Sequence, residues 1–546
     1  MAAKPLSLKF GTNTVEVPWS GVDRAIQAAF PEWGTRRLQA RVSHAMVSQL
    51  GGYNGASTTR RSLAGWRPMG GDADADSLPE LPELRVRSRD LARNSPVAGG
   101  AINTTVTKVV GTGLALLASV DAEYLKLSDE DADRWQQDVE RKFNDWWEST
   151  DCDITRTQSG YGLADLVLRA ECESGDVFAI LVQAKHSHSP VRLAVQIIEA
   201  DRACNPDRKP DSATLVAGVA LDGNGAPVRY HFASGNPMRR TGAQAQRALT
   251  WSAVDAFGSR SGRRNVLHIY QRRRPGQTRG VPMLAPVIEP LKQLERYTEA
   301  ELMAAVVSGL FTVFIKTEGG GAALQPSALQ GSTSSSGGWD GKMGNGLVVE
   351  LGQRESIESA NPGRPNAQFD PFVTAIIRQI GLTLEIPYEV LVKHYASSYS
   401  AARAALLDAW AYFKVRRARL AEQFCQPIYE AWLDEAVATG YVTAPAYFSD
   451  PLTRRAWQGA LWIGDGPGAI DPVKEIEASE RRIALTVSTF EQESLLYDGG
   501  KWRRKLRKLT REHGLLRTAS IAVPTLAAAQ PAAGPKTYPS DPQAGT

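Results

Sequence analysis

Residues 385–410 read EIPYEVLVKHYASSYSAARAALLDAW. An apolar helical pattern, PFVTAIIRQIGLTLE (371–385), runs into this stretch and meets Pro387, which cannot continue it. A second pattern, SAARAALLDAWAYFKVRRARLAEQFCQPIYEAWLDEAV, begins at residue 400 and holds to 437. At about 1.5 Å per residue that is a helix of about 55 Å, longer than one compact domain needs. Leu407, Trp410, Phe413, Phe424, Ile428 and Trp432 recur along it at helical spacing, and Pro427 predicts a kink. Between the two patterns lies a polar, tyrosine-bearing connector that carries Lys393, His394, Tyr395, Ser397, Ser398 and Tyr399. Long helices joined by so short a polar loop predict a chain that spans an assembly or joins domains.

Upstream, VPMLAPVIEPLKQLERYTEAELMAAVVSGL (281–310) is a further helix, with Leu284, Val287, Ile288, Leu291 and Leu294 on one face. Pro286 and Pro290 bend its first turns or confine the regular part to the residues after them. FTVFIKT then reads as a strand. Residues 319–346 are Gly- and Ser-rich and read as a long loop, and NGLVVELGQRESIE as strand and turn. Residues 175–274 are strand-rich: GDVFAILVQA and VRLAVQIIEAD are buried strands, GVALDGNGAPVRYHFAS is a hairpin turning at Asp222-Gly223-Asn224-Gly225, and RNVLHIYQRRR closes the region. From Leu84 to Gly113 the spacing is helical on both sides of Asn94-Ser95-Pro96, and Trp135, Val139, Phe143 and Trp146 form one helical stripe. The first 80 residues read as irregular, with Gly, Ser and Asp clusters. Two more helices are expected within 469–517, and the Ala/Pro/Gly-rich end from Ala519 reads as a disordered tail.

Composition narrows the classes. At 546 residues the chain predicts three or four structural units. Hydrophobic residues at 42% and charged residues at 22% are ordinary for a globular protein, and a net charge of +4 is too small to argue for nucleic acid alone. Cys152, Cys172, Cys204 and Cys425 lie far apart without zinc spacing, so reduced thiols are expected. No apolar run is long enough for a transmembrane helix and no secretory pattern opens the chain, so a cytoplasmic start without membrane contact is expected.

Catalytic patterns are missing. SSGGWDGKM departs from the phosphate-cradling loop in its glycine spacing and has Met after the lysine, so ATP hydrolysis is not expected. GDGPGA (464–469) reads as a turn. His186 and His188 form H-x-H without neighbouring ligands, so a strand end is expected rather than a metal site. Glu171, Glu173 and Asp176 in ECESGD could do acid–base work, but read more simply as a solvated helix-to-strand turn. No catalytic residue, metal or cofactor is assigned. Two basic stretches remain. KWRRKLRKLTREHGLLR (501–517) carries Arg503, Arg504, Lys505, Arg507 and Lys508, either as a phosphate-contacting face or as a solvated helix face in an oligomer. QRRRPGQTRG (271–280) reads as a loop or a charge partner for a neighbouring subunit.

The order of LRVRSRDLARNSPVAGGAINTTVTKVVGTGL, ESGDVFAILV, QIIEADR, GVALDGNGAPVRYHF, VLHIYQRRRPGQTRGVPMLAPVIEPLKQLERY and IPYEVLVKHYASSYSAARAALLDAW resembles the lambda-type family of bacteriophage portal proteins, over about residues 25–515. The resemblance implies a mixed α+β portal fold with wing, stem, clip and crown regions, rich in long helices. It implies a closed ring of subunits, dodecameric as a rule, at one capsid vertex of the virion, assembled in the host cytoplasm. Double-stranded DNA would be packaged through its tunnel by a terminase and later ejected, without sequence specificity. Partners would be other copies of the chain, the large terminase subunit, head-tail connector or head-completion proteins, and major capsid and scaffold proteins. Mapped onto this chain, 1–25 would be a flexible N-terminus, 26–280 wing, 281–310 the first stem helix and 311–370 clip. Residues 371–386 would be the second stem helix, 387–399 the tunnel loop, 400–440 the long kinked wing helix, 441–518 wing end and crown, and 519–546 the tail. In this mapping Lys393 and His394 would meet phosphates, Ser397 and Ser398 would offer short polar groups for sliding contact, and Tyr395 and Tyr399 would pack against helices or hold the loop between subunits. A neck or tail connector without a motor-docking role, or a metal-dependent nuclease using Glu171 and Asp176, are the competing readings.

Overall fold

The computed structural model describes residues 6–10, 13–17, 19–49, 54–56, 60–63, 65–68, 70–184, 189–237, 249–309, 313–317, 355–359, 368–395, 398–466, 472–498 and 502–519. The chain divides into two compact units, residues 1–71 and 72–546.

The first unit is more ordered than its composition implies. β1 (Leu6–Phe10) and β2 (Asn13–Val17) form an antiparallel hairpin, followed by α1 (Gly21–Ala29) and α2 (Pro31–Gln49). The expectation of irregular chain here fails because Ser20 and Asp23 make a reciprocal capping box that starts α1. Asp23 then buries its carboxylate under Arg37 and Arg41, 3.1 and 3.0 Å away, which ties α2 to α1.

The second unit opens with α3 (Ala73–Ser77), α4 (Leu81–Asn94) and α5 (Pro96–Val109); Ser95 breaks the last two and Pro96 starts the new helix. After β3 (Ala115–Ala118) and α6 (Ala122–Leu125), α7 (Asp129–Trp147) buries Val139, Phe143, Trp146 and Trp147 on one stripe. α8 (Gly160–Ser174) leads into β4 (Asp176–Gln183) and β5 (Leu193–Glu199). β6 (Leu215–Val216), β7 (Val219–Leu221), β8 (Pro227–Ala233) and β9 (Trp251–Asp255) form a four-stranded antiparallel meander with the hairpin turn as expected. β10 (Val266–Tyr270) returns to pair with β4, giving the order β10-β4-β5. Because β4 is central, it is covered on both faces. Val177, Ala179 and Leu181 enter the main core, while Phe178 and Ile180 enter a second core with Tyr230 and Phe232 of the meander. That two-sided cover is why its sequence is continuously apolar instead of alternating.

α9 (Ile288–Gly309) follows a short 3₁₀ turn at Ala285–Val287, so the helix expected from residue 281 starts seven residues later, once Pro286 has been accommodated. β11 (Val313–Thr317) and β12 (Glu355–Ser359) pair antiparallel. α10 (Phe369–Leu384), α11 (Tyr388–Val392), α12 (Tyr399–Leu420) and α13 (Gln426–Ala438) come next. Between α12 and α13 one π turn, Ala421–Cys425, carries the Gln426 N–H to the Ala421 carbonyl five residues back. Pro427 has no N–H to give, and the widened turn just ahead of it is the irregularity that the proline predicts. α14 (Pro451–Trp457), β13 (Ala460–Ile463) paired with β3, α15 (Pro472–Ala484), α16 (Phe490–Asp498) and α17 (Trp502–Thr518) complete the order.

The main core is aromatic. Phe143 of α7 stands edge-on to Tyr429 and Trp432 of α13, at ring-centre distances of 5.5 and 5.3 Å, and stacks on Trp147 at 5.5 Å. Gly160 is required beneath it: a Cβ there would fall 1.9 Å from the Trp147 ring. Of the stripe expected on the long helix, Trp410, Phe413, Phe424, Ile428 and Trp432 are buried. Leu407 is not; it is 56% exposed, because the buried face at that turn is supplied by Ala409 and the half-buried Leu406 instead. Among the described residues no helix is long and apolar enough to cross a membrane.

Candidate nucleic-acid interface

The connector between α10 and α12 is built by local backbone rules. Glu385 adopts the left-handed conformation (φ 57°) that ends α10, and Ile386 N–H donates to the Gly381 carbonyl at 2.9 Å. Ile386 is thereby turned into the core. Pro387 opens α11, whose Val390 and Leu391 are buried. This short helix packs against α5, α10 and α12, so the expected loop of 387–399 is half helix. Lys393, again left-handed (φ 56°), stops α11. Lys393, His394 and Tyr395 then lie exposed in sequence, and neither Lys393 nor His394 enters an ion pair among the described residues. Ser398 caps α12, its hydroxyl accepting from the Ala401 N–H at 3.4 Å.

Five of the six residues expected in this segment are therefore described, and all five are exposed, with buried Val390 and Leu391 just ahead of them and the Ser398-capped start of α12 after them. Ser397 lies outside the described residues. Tyr395 and Tyr399 are each about half exposed in the single subunit, where packing against the helices or holding the loop between subunits were the two expectations. The Ser398 hydroxyl serves the helix end, so it is not a free polar group.

The basic helix α17 is partly engaged by the protein itself. Arg503 pairs with Asp133 and Arg507 donates to Gln137, both on α7. Lys505 donates to Ser494 at 2.8 Å, and Lys508 lies 3.9 Å from Glu512 within the helix. The Arg504 side chain, like His186 and His188, lies outside the described residues.

Sequence reasoning missed a buried charge centre. Asp176, expected in a solvated turn, is fully buried at the start of β4. Its carboxylate accepts from Arg279 Nε at 2.6 Å and Arg85 Nη2 at 2.8 Å, and from the Gly280 N–H at 3.2 Å, and lies 3.2 Å from His268 Nε2. Burial alone would raise its pKa, but Arg279 and Arg85 outweigh burial and hold the carboxyl well below the usual range. His268 is stacked between Phe178 and Tyr270, with ring centres 4.3 and 4.2 Å away, and burial lowers its pKa against the opposing pull of Asp176. Arg279 also donates to the carbonyls of Ala200, Ala203 and Ala217. The basic stretch 271–280, read as a loop or a charge partner for a neighbouring subunit, thus spends its last arginine inside its own subunit. Glu171 is buried elsewhere against Arg416. Burial pushes the adjacent Cys172 thiol up to about 12 despite Arg416 beside it. The two carboxylates a hydrolytic centre would need are each committed to arginine, Asp176 to Arg85 and Arg279 and Glu171 to Arg416. The one local hint was an aspartate opening a run as apolar as DVFAILV, where only a paired charge survives burial.

The chain matches the family described as phage portal protein, lambda family, over residues 59–417. It is 27% identical to a portal protein of Escherichia phage N15 over 515 residues, 91% of this chain and 94% of that one. It is likewise 27% identical to portal protein B of Escherichia phage lambda over 505 residues, 88% and 93% of the two chains. A solved structure described as the neck of an empty GTA particle computed with C6 symmetry gives a TM-score of 0.40 at 14% identity, covering 80% of this chain and 96% of that chain. With the family match extending over well more than half its length, this chain belongs to the lambda family of phage portal proteins.

Proposed function

We propose that copies of this chain close into a dodecameric ring at a capsid vertex of the virion, formed in the host cytoplasm, and that double-stranded DNA passes through its hole during terminase-driven packaging and during ejection. In this reading α9 and α10 are the stem, residues 311–370 the clip that docks the large terminase subunit and then head-tail connector proteins, and residues 387–399 the tunnel segment. Residues 26–280 with the long helix form the wing, against which capsid and scaffold proteins would sit, and the C-terminal helices reach the crown.

The observation that carries this reading is the exposure of the rim residues Lys393, His394, Tyr395 and Tyr399, held by buried Val390 and Leu391 on one side and by the Ser398-capped α12 on the other. A conduit must touch every sequence alike. Lys393 and His394 can meet phosphates, which carry no sequence information, and no arginine stands in 388–399 to make a bidentate base contact. A few cationic groups per subunit favour weak, exchanging contacts over a tight hold. A free motor or nuclease role gains no support from the buried, arginine-held carboxylates.

The test is the double variant Lys393→Ala/His394→Ala. Rings in negative stain with the parental melting temperature, but with poorer DNA packaging or retention, support the channel role. Packaging and retention at parental levels would sink it.

A further inference from the structure

Far along the chain from the rim, the loop after β9, α13 and α14 enclose a hollow of about 460 Å³ whose walls include Phe257, Arg263, Arg264, Glu430, Phe448 and Arg455. A second hollow of about 310 Å³ shares Phe257 and Arg264 and adds Tyr230, Tyr270 and Arg272. The two therefore form one surface that meets at Phe257 and Arg264. Phe257 is 47% and Phe448 60% exposed, so two rings with no polar handle stand on this surface beside the arginines.

The charges on this surface are unbalanced in a specific way. Asp434 is already taken by Arg454 Nε at 2.9 Å and by the Tyr447 hydroxyl at 2.9 Å. Asp450 is taken by the N–H groups of Leu452 and Thr453. Glu430 is half-buried and accepts from Gln426 at 3.1 Å. Arg263, Arg264, Arg272 and Arg455 enter no ion pair among the described residues. Arg264 and Arg272 instead lie over the rings of Phe257 and Tyr270, 5.7 and 5.9 Å from the ring centres, which holds their guanidinium groups at the rim.

We propose that this double hollow docks an acidic segment of another protein, with an apolar side chain set against Phe257 and Phe448 and carboxylates on Arg264, Arg455 and Arg272. Arginine and exposed aromatic side chains are the groups that anchor protein contacts, and the guanidinium fork matches a carboxylate. Duplex DNA fits less well. The hollows are too small to admit it, Glu430 and Asp434 would repel its phosphates, and the phenylalanines offer its backbone nothing.

The experiment uses the full-length chain, as free subunits and as assembled particles, with a fluorescein-labelled peptide EELFEE read by anisotropy. The comparison ligands are EELAEE, KKLFKK and a short DNA duplex. Expected are binding of EELFEE that weakens with salt, weaker binding of EELAEE and none of KKLFKK. Arg264→Glu/Arg455→Glu and Phe257→Ser/Phe448→Ser should each weaken EELFEE binding about tenfold or more at an unchanged melting temperature. No binding of EELFEE, or binding indifferent to both double variants, overturns the proposal. Duplex binding lost in the same variants would assign the surface to nucleic acid and overturn it too. Binding seen only with free subunits would make it a contact between copies of this chain, against the proposal of a different protein.

Discussion

Asp176 shows how much one residue can decide. Its carboxylate gathers α4, β4, β10 and the 279–280 turn at a single point. Asp176→Ala leaves Arg85 and Arg279 buried without their counter-charge, and should cost about 3–5 kcal/mol in equilibrium unfolding. The centre also makes stability depend on pH. His268 has a lowered pKa when folded, so below about pH 6.5 the unfolded chain takes up a proton that the folded one refuses, and stability falls as pH falls. Asp176, also lowered, adds a loss of the same sign below about pH 4. In calorimetry, His268→Gln should flatten the decline of melting temperature between about pH 6.5 and 5. His231, lowered by burial and by Arg229, accounts for part of the slope that remains. An unchanged slope in the variant would remove His268 as the source.

At the scale of elements, the decisive feature is the junction of α10 with α11. Gly381 sits where a Cβ would approach the Ile386 carbonyl to 2.6 Å. Gly381→Ala must push the junction apart, at about 1–3 kcal/mol, although the mutated residue is not itself one of the exposed rim residues. Under the proposed function, this variant should still form rings but handle DNA as poorly as Lys393→Ala/His394→Ala. Ring formation together with parental packaging would show that the exact placement of the rim is unimportant. The helices themselves are legible in the sequence: the 3.6-residue spacing of Ile377, Ile380 and Leu384 and the stop at Pro387 are written in adjacent residues. The short helix α11 is not, because five residues carry too little periodicity to distinguish a helical turn from a loop.

At the scale of the molecule, α9 and α10 pack through Tyr297, whose ring lies 5.7 Å from Phe369 and 4.8 Å from Phe372. The pair still exposes Leu302 at 65%, Met303 at 57% and Leu382 at 82%. A head-to-tail ring would cover such residues with the same helices of the next copy. Leu382→Lys should therefore keep the folded subunit within about 0.5 kcal/mol of parental stability, while sharply reducing rings in negative stain. Undiminished ring formation would free this face from the proposed contact.

Taken alone, the sequence determined where the long helices and the strands of the 175–270 region run, that no nucleotide-cradling loop is present, and which polar residues stand between two long helices. These are properties of neighbouring residues, set by period, proline and glycine. Only the tertiary structure decided which charges are free. Arg279 and Asp176 are 103 residues apart and read as surface groups until the sheet brings them together. Arg503 reads equally as a phosphate contact or a solvated charge, and its pairing with Asp133 of α7 is written in neither segment alone. Lys393 keeps its exposure in both views. The physical reason is that burial of a charge depends on the partner that satisfies it, and no local pattern records a partner supplied by a distant part of the chain.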